Sequence, residues 1–159
     1  MPARSATVFV LNASGKDLNL VVQSQHLDHG EWSGNGMPPN TIPGMGFGRW
    51  ESESDGFMTG TEGRVSYTMA GMGGNNQVQF HWDNPYAGSN TYGWSAPPGF
   101  KVTQSGGDGN NAMVNFIVQP GKLLPPPAGV VVCINNIRSL IRYQRTGVLQ
   151  GFQELRSLI

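Results

Sequence analysis

Between residues 77 and 83 the chain alternates, with Val78, Phe80 and Trp82 apolar and Gln79, His81 and Asp83 polar. A period of two describes a strand with one buried and one wet face. The alternation stops at Asp83-Asn84-Pro85, a turn signal, and the chain continues to Trp94 as a stretch that reads as an aromatic loop. Similar patterns recur on both sides. Residues 6–12 are β-branched and run into the turn Asn12-Ala13-Ser14-Gly15; residues 17–25 put Leu18, Leu20 and Val22 on one face, so the two runs read as a hairpin. Residues 27–36 read as a polar loop, 47–50 as a short strand, 51–63 as a long acidic loop and 64–69 as a further alternating strand. Residues 100–103 and 113–118 are two more short strands, separated by the loop 105–111. About seven short strands joined by turn chemistry predict an all-β fold, a single β-sandwich of short antiparallel strands. No fixed-period repeat points to a propeller or solenoid.

The pattern changes after Val118. A Pro-rich and apolar spacer over 119–133 is followed by helical spacing over 134–159, where Ile134, Ile137, Leu140 and Ile141 share a face and Val148, Phe152, Leu155 and Ile159 repeat it. The expected organisation is a sandwich over 4–118, the spacer, and an amphipathic helical tail. From residue 119 onward Lys122, Arg138, Arg142, Arg145 and Arg156 face one acid, Glu154; the rest of the chain holds five basic and nine acidic residues. The +4 segment and the −4 remainder cancel to the overall zero. A basic amphipathic segment packs on its own domain or on a partner, or docks on lipid.

Composition removes several functions. With 13% charged residues and no net charge, the 159-residue chain has no basic stripe for nucleic acid. The single Cys133 makes no disulfide framework and no cysteine-based zinc site. The start of the sequence does not read as a secretory signal, and no stretch is long and apolar enough for a transmembrane helix. The expectation is a protein made soluble, cytoplasmic or exported unconventionally.

Candidate chemistry is sparse. His26 and His29, with Asp28 and Glu31 nearby, have ligand-type side chains, but in a loop their spacing does not set a metal geometry. His81 and Asp83 share a strand face without a nucleophile-elbow Ser or Cys. Cys133 falls in an apolar run and reads as an inert thiol. The Gly-rich stretches lack the Lys-Ser/Thr of a phosphate loop. Neither a metal, a cofactor nor an enzymatic activity is expected. What stands out is the aromatic stretch, because Trp and Tyr pair an apolar body with a polar tip. It reads either as a structural corner or as a surface for a ligand or membrane.

Four stretches together resemble the aegerolysins, small β-sandwich proteins of fungi and bacteria. Residues 7–20, TVFVLNASGKDLNL, are similar to that family's opening hairpin. Ser54-Asp55 followed by Gly60-Thr61-Glu62-Gly63 resembles its Ser-Asp and Gly-Thr-Thr-Gly stretch. Residues 80–90, FHWDNPYAGSN, resemble its aromatic-Trp-Asp-Cys-Pro-Trp-Gly-Ser signature, and residues 101–118 its closing hairpin. Asn84 stands where the family usually has Cys, and Tyr86 where it usually has Trp. Thr7 stands near a Trp of several members, and Met58 or Thr59 near a Glu that helps some of them recognise lipid. The actinoporins have a similar sandwich and a Pro-Tyr in the corresponding loop, but insert an N-terminal helix for which a first strand starting near residue 6 leaves no room.

The resemblance implies a non-enzymatic, haemolysin-like protein that binds sphingolipid-containing membranes, with or without sterol. It also implies the recognition half of a two-component pore-forming cytolysin with a larger perforin-like partner. The residues expected to meet lipid are Trp82, Tyr86, Tyr92 and Trp94, with Trp32, His81 and Asp83 in support. If Trp82 is core, as its place in the alternation allows, Tyr86 and Trp32 take over its role. The alternatives are a lectin-like module, in which the aromatics stack on sugar rings, a self-sufficient pore former of the actinoporin kind, and a structural protein that binds nothing small.

Overall fold

A computed structural model describes residues 2–34, 36–73 and 76–121. Among these, eleven strands form two sheets: β1 (Ser5–Asn12), β2 (Leu18–Leu20), β3 (His26–His29), β4 (Glu31–Trp32), β5 (Thr41–Ile42), β6 (Gly46–Glu53), β7 (Thr61–Met69), β8 (Gln77–Asn84), β9 (Thr91–Ser95), β10 (Phe100–Gly106) and β11 (Asn111–Pro120). One sheet has the order β10-β11-β1-β6-β4; the other runs β5-β2-β7-β8-β9, with β3 also on β7. All pairs are antiparallel except β1 with β11.

The alternation that defines β8 also builds the core. Val78, Phe80 and Trp82 are buried, as are Val65, Tyr67 and Met69 on β7 and Val8, Val10, Trp50, Val114, Phe116 and Val118 from the other sheet. Trp50 sits between the sheets, its ring 6.3 Å from Tyr67, 6.0 Å from Phe80 and 5.9 Å from Trp82. These tilted separations are in the favourable range for aromatic pairs. The Tyr67 hydroxyl donates to the Pro39 carbonyl at 3.0 Å, and burial pushes its pKa up.

The expected hairpin of residues 6–12 with 17–25 does not form. β1 is flanked by β11 and β6, whereas β2 pairs with β5 and β7 in the opposite sheet. Asn12 makes the crossing. Its amide donates to the Lys16 carbonyl at 2.7 Å and to the Ile42 and Pro43 carbonyls at 3.0 Å each, while its oxygen accepts the Ser14 hydroxyl at 2.6 Å. A buried side chain that satisfies four backbone and hydroxyl groups fixes a corner where a two-strand ribbon was expected. By contrast β10 and β11 do pair as the closing hairpin.

Three loop assignments also change. Residues 27–36 contain the end of β3 and all of β4, and β9 takes up half of the expected aromatic loop. The acidic loop shrinks to residues 54–60, because Glu51 and Glu53 belong to β6 and Thr61 and Glu62 to β7. β11 carries the last sheet residues, Gln119 and Pro120. Gly121 follows them; residues 122–133 of the expected spacer, Cys133 included, and the expected helical tail lie outside the described residues.

Candidate functional site

Two loops meet at one end of the sandwich, residues 54–60 between β6 and β7 and residues 85–90 between β8 and β9. Their approach depends on Gly60. A Cβ there would lie 2.6 Å from the Asn84 carbonyl oxygen and 2.8 Å from Pro85 Cα, too close for any side chain. Asn84, buried at the end of β8, anchors the second loop by donating to the Ser5 carbonyl at 2.8 Å and the Asn110 carbonyl at 2.9 Å. The Asn84 amide thus ties β8 to β1 and to the turn before β11.

The 54–60 loop carries Phe57, 92% exposed, and Met58, 55% exposed. Met58 has φ +59°, a left-handed conformation uncommon for a side chain without an Asn-type polar group. Beside them Tyr86 is 36% exposed. Arg4 holds it: the guanidinium lies 5.1 Å from the ring centre, Nε donates to the Pro85 carbonyl at 3.0 Å, and a second nitrogen donates to the Tyr86 carbonyl. Three apolar side chains therefore project from one end over loops that are themselves fastened down.

A groove of about 390 Å³ lies next to these side chains, lined by Met58, Thr59, Pro85 and Tyr86 together with His29, Glu62 and Asp83. Glu62 and Asp83 are cross-strand partners on the outer face of the sheet. The Asp83 carboxyl is held above its ordinary pKa by burial first and then by the Glu62 charge, against the opposing pull of His81 and His29. A second hollow of about 270 Å³ shares Pro85 as a wall and is lined by Arg4, Ser89, Asn90, Asp108 and Asn110. The end thus places Glu62 and Asp83 on one side of Pro85 and, on the other, the Arg4 guanidinium together with the Asp108 carboxylate. Such an arrangement can take a polar group bearing a cation and an anion while the apolar tip enters a less polar phase.

The expected site residues divide into three groups. Tyr86 and Asp83 line the groove, and His81 touches its edge through Glu62, with Nε2 3.1 Å from Oε1. Trp82 is fully buried and its indole N–H donates to Ser52 Oγ at 2.8 Å, so it is core and has no exposed face. Trp32 packs on it at 5.8 Å, half-buried, and supports it from β4. Tyr92 and Trp94 stand on β9, away from the loop tip. The Tyr92 hydroxyl donates to the Gly107 carbonyl at 2.7 Å, and Trp94, 44% exposed, packs its ring 5.9 Å from Phe116. They close the open side of the sandwich between β9 and the β10–β11 hairpin.

Sequence reasoning did not assign Phe57, Met58, Glu62, His29 or Arg4 to a lipid site; it weighed His29 only as a metal ligand and Met58 only as standing near the family's Glu. Two adjacent apolar residues inside a Gly-flanked acidic loop were the available signal for the first pair. Among the described residues, no group of three or more His, Cys, Asp or Glu is arranged to hold a metal ion, and no helix is long and apolar enough to cross a membrane.

Comparison with known proteins bears on this geometry in three ways. An uncharacterised protein of Dictyostelium discoideum is 33% identical over 98 residues, which is 60% of this chain; the match spans 8% of that protein's length. The crystal structure of the lipid binding protein Nakanori superposes with a TM-score of 0.58 at 15% identity, covering 72% of this chain and 70% of that one. At such low identity the likeness speaks for a shared fold. The aegerolysin family model matches residues 6–118, from the first strand to the closing hairpin and through both loops of the groove, and the chain belongs to the aegerolysin family.

Proposed function

We propose that the chain is a non-enzymatic membrane-lipid binding protein that meets the bilayer with the end bearing Phe57, Met58 and Tyr86. The observation that carries this reading is Phe57, 92% exposed beside a groove holding two carboxylates. A Phe ring left in water on an anchored loop has no folding role; in the interfacial region of a bilayer its burial contributes about 1.5–3 kcal/mol. Glu62 and Asp83 suit a headgroup ammonium, and Arg4 a phosphate near it. The lipid class we assign is sphingolipid, with or without sterol, as membership of the family implies. On the same basis the chain acts as the recognition component of a two-component pore with a larger perforin-like partner. Retention on liposomes tests the lipid reading: Tyr86→Ala should weaken it by about 1–3 kcal/mol with little change in melting temperature. An unfolded variant would make Tyr86 a structural staple. Dye release by the chain alone would favour a self-sufficient pore former.

A carbohydrate reading has one observation in its favour. A groove of about 280 Å³ beside β9 is lined by Val65, Phe80 and Trp94 together with Arg64, Ser66, Gln79, His81 and Ser95, an aromatic surface with hydrogen-bonding groups around it. Retention on vesicles of pure lipid without glycan decides against it.

A further inference from the structure

One histidine that lines the groove, His29, and one at its edge, His81, approach the same carboxylate. Glu62 on β7 has Oε1 3.1 Å from Nε2 of His81 on β8, and Oε2 3.8 Å from Nε2 of His29 on β3. Register brings them together, because Glu62 lies opposite His29 on one side and Asp83 on the other. The side chains are partly open to water, 28% for Glu62, 37% for His81 and 71% for His29, so protons reach them freely.

The charged groups next along these strands do not line the groove. Arg64, two residues along β7, pairs with Asp28 of β3 at 2.8 Å, and His26 lies 3.2 Å from the same Asp28. Glu53 of β6 accepts the Ser33 hydroxyl at 2.9 Å. The titratable groups that line the groove or pair with its carboxylates are Glu62, Asp83, His29 and His81.

We propose that His29 and His81 form a proton-operated switch on this groove, leaving it anionic and open to a headgroup ammonium at neutral pH and neutralised in mild acid. The inference rests on the reading of the groove as the headgroup site. Histidine is the side chain whose charge ordinarily changes in this range. With both imidazoles neutral, the groove carries the charges of Glu62 and Asp83. With both protonated, two positive charges stand at the Glu62 oxygens, and the cluster is neutral overall. Asp83 acts in the same direction, since burial and the Glu62 charge make it take up a proton more readily than an ordinary Asp.

The test is co-sedimentation of the full chain with uncharged vesicles of sphingomyelin, phosphatidylcholine and cholesterol at a pH of about 7.5 and about 5.5. Affinity of the unmodified chain should fall on the order of tenfold, the effect of new positive charge within a Debye length of a bound cation. In the double variant His29→Gln with His81→Gln the ratio between the two pH values should shrink to about twofold or less, on the same Coulomb argument. His26→Gln, whose partner is Asp28, should keep the original ratio. If the double variant fails to fold, His29→Gln alone, at a largely exposed position, must reduce the fall. Equal binding at both pH values overturns the switch and leaves the lipid reading intact. Absence of binding at either pH overturns both, and an unchanged fall in the double variant places the titrating group elsewhere.

Discussion

Replacing Phe57 by Ala separates membrane contact from folding more cleanly than any other substitution in this chain. In the free protein the side chain is 92% exposed, so its removal takes nothing from the core. The folded state should lose no more than about 0.5 kcal/mol, and the melting temperature should move by about 2 °C or less. On the bilayer the situation reverses. A Phe side chain transferred fully from water contributes about 1.5–3 kcal/mol, of which the remaining Ala methyl keeps a minor part. A loss of about 2 kcal/mol corresponds to roughly thirtyfold weaker partitioning. The assay is a lipid titration by co-sedimentation, paired with a thermal melt of the same preparations. Phe57→Leu, which keeps most of the apolar area, should recover most of the affinity. Binding unchanged within about twofold would refute the placement of this loop in the membrane, and so would a binding loss accompanied by a large drop in melting temperature.

Other consequences follow from buried contacts, charge and chain organisation. Ser52 Oγ accepts the Trp82 indole N–H at 2.8 Å and the Thr61 hydroxyl at 2.6 Å, so Ser52→Ala orphans two buried donors and should cost about 2–4 kcal/mol in chemical denaturation. Because the folded state raises the Asp83 pKa, the ionised carboxylate disfavours folding above that pKa and the penalty vanishes once both states are protonated. Asp83→Asn should therefore raise the denaturation midpoint at neutral pH, with the gain fading as pH falls through the carboxylate range; a gain that grows in acid would contradict the sign. A chain stopped after Lys122 should keep sphingolipid binding in physiological salt, whereas binding that requires anionic lipid and fades with ionic strength would assign recognition to the basic tail.

The legible parts of the fold were those where period alone decides. Val78, Phe80 and Trp82 named the inner face of β8, and Trp82 proved to be core, as its place in that alternation allowed. Pairing was less legible. The corner at Asn12 depends on carbonyls of residues 42 and 43, which are remote in sequence and give no local signal. β9 was hidden because Thr91, Gly93 and Ser95, which face outward, alternate with two aromatics that read as loop residues.

The candidate site was legible only in its second loop. Tyr86 and Asp83 follow from the strand that ends at Asn84, so position past the alternation found them. Phe57 and Met58 were hidden in a stretch whose acids dominated the reading, and their exposure depends on the anchoring of both loops through Gly60 and Asn84. Arg4 was beyond reach for a different reason. Its partners are the carbonyls of residues 85 and 86, some eighty positions along the chain.

The claim at the centre of this account is that the sandwich end recognises sphingolipid in an uncharged membrane. It is tested most directly by co-sedimentation of the full chain with neutral vesicles that contain or lack sphingolipid, in physiological and in high salt. Retention should depend on sphingolipid and persist in high salt. Retention that ignores sphingolipid, or that appears only with anionic lipid and disappears as salt rises, would contradict it.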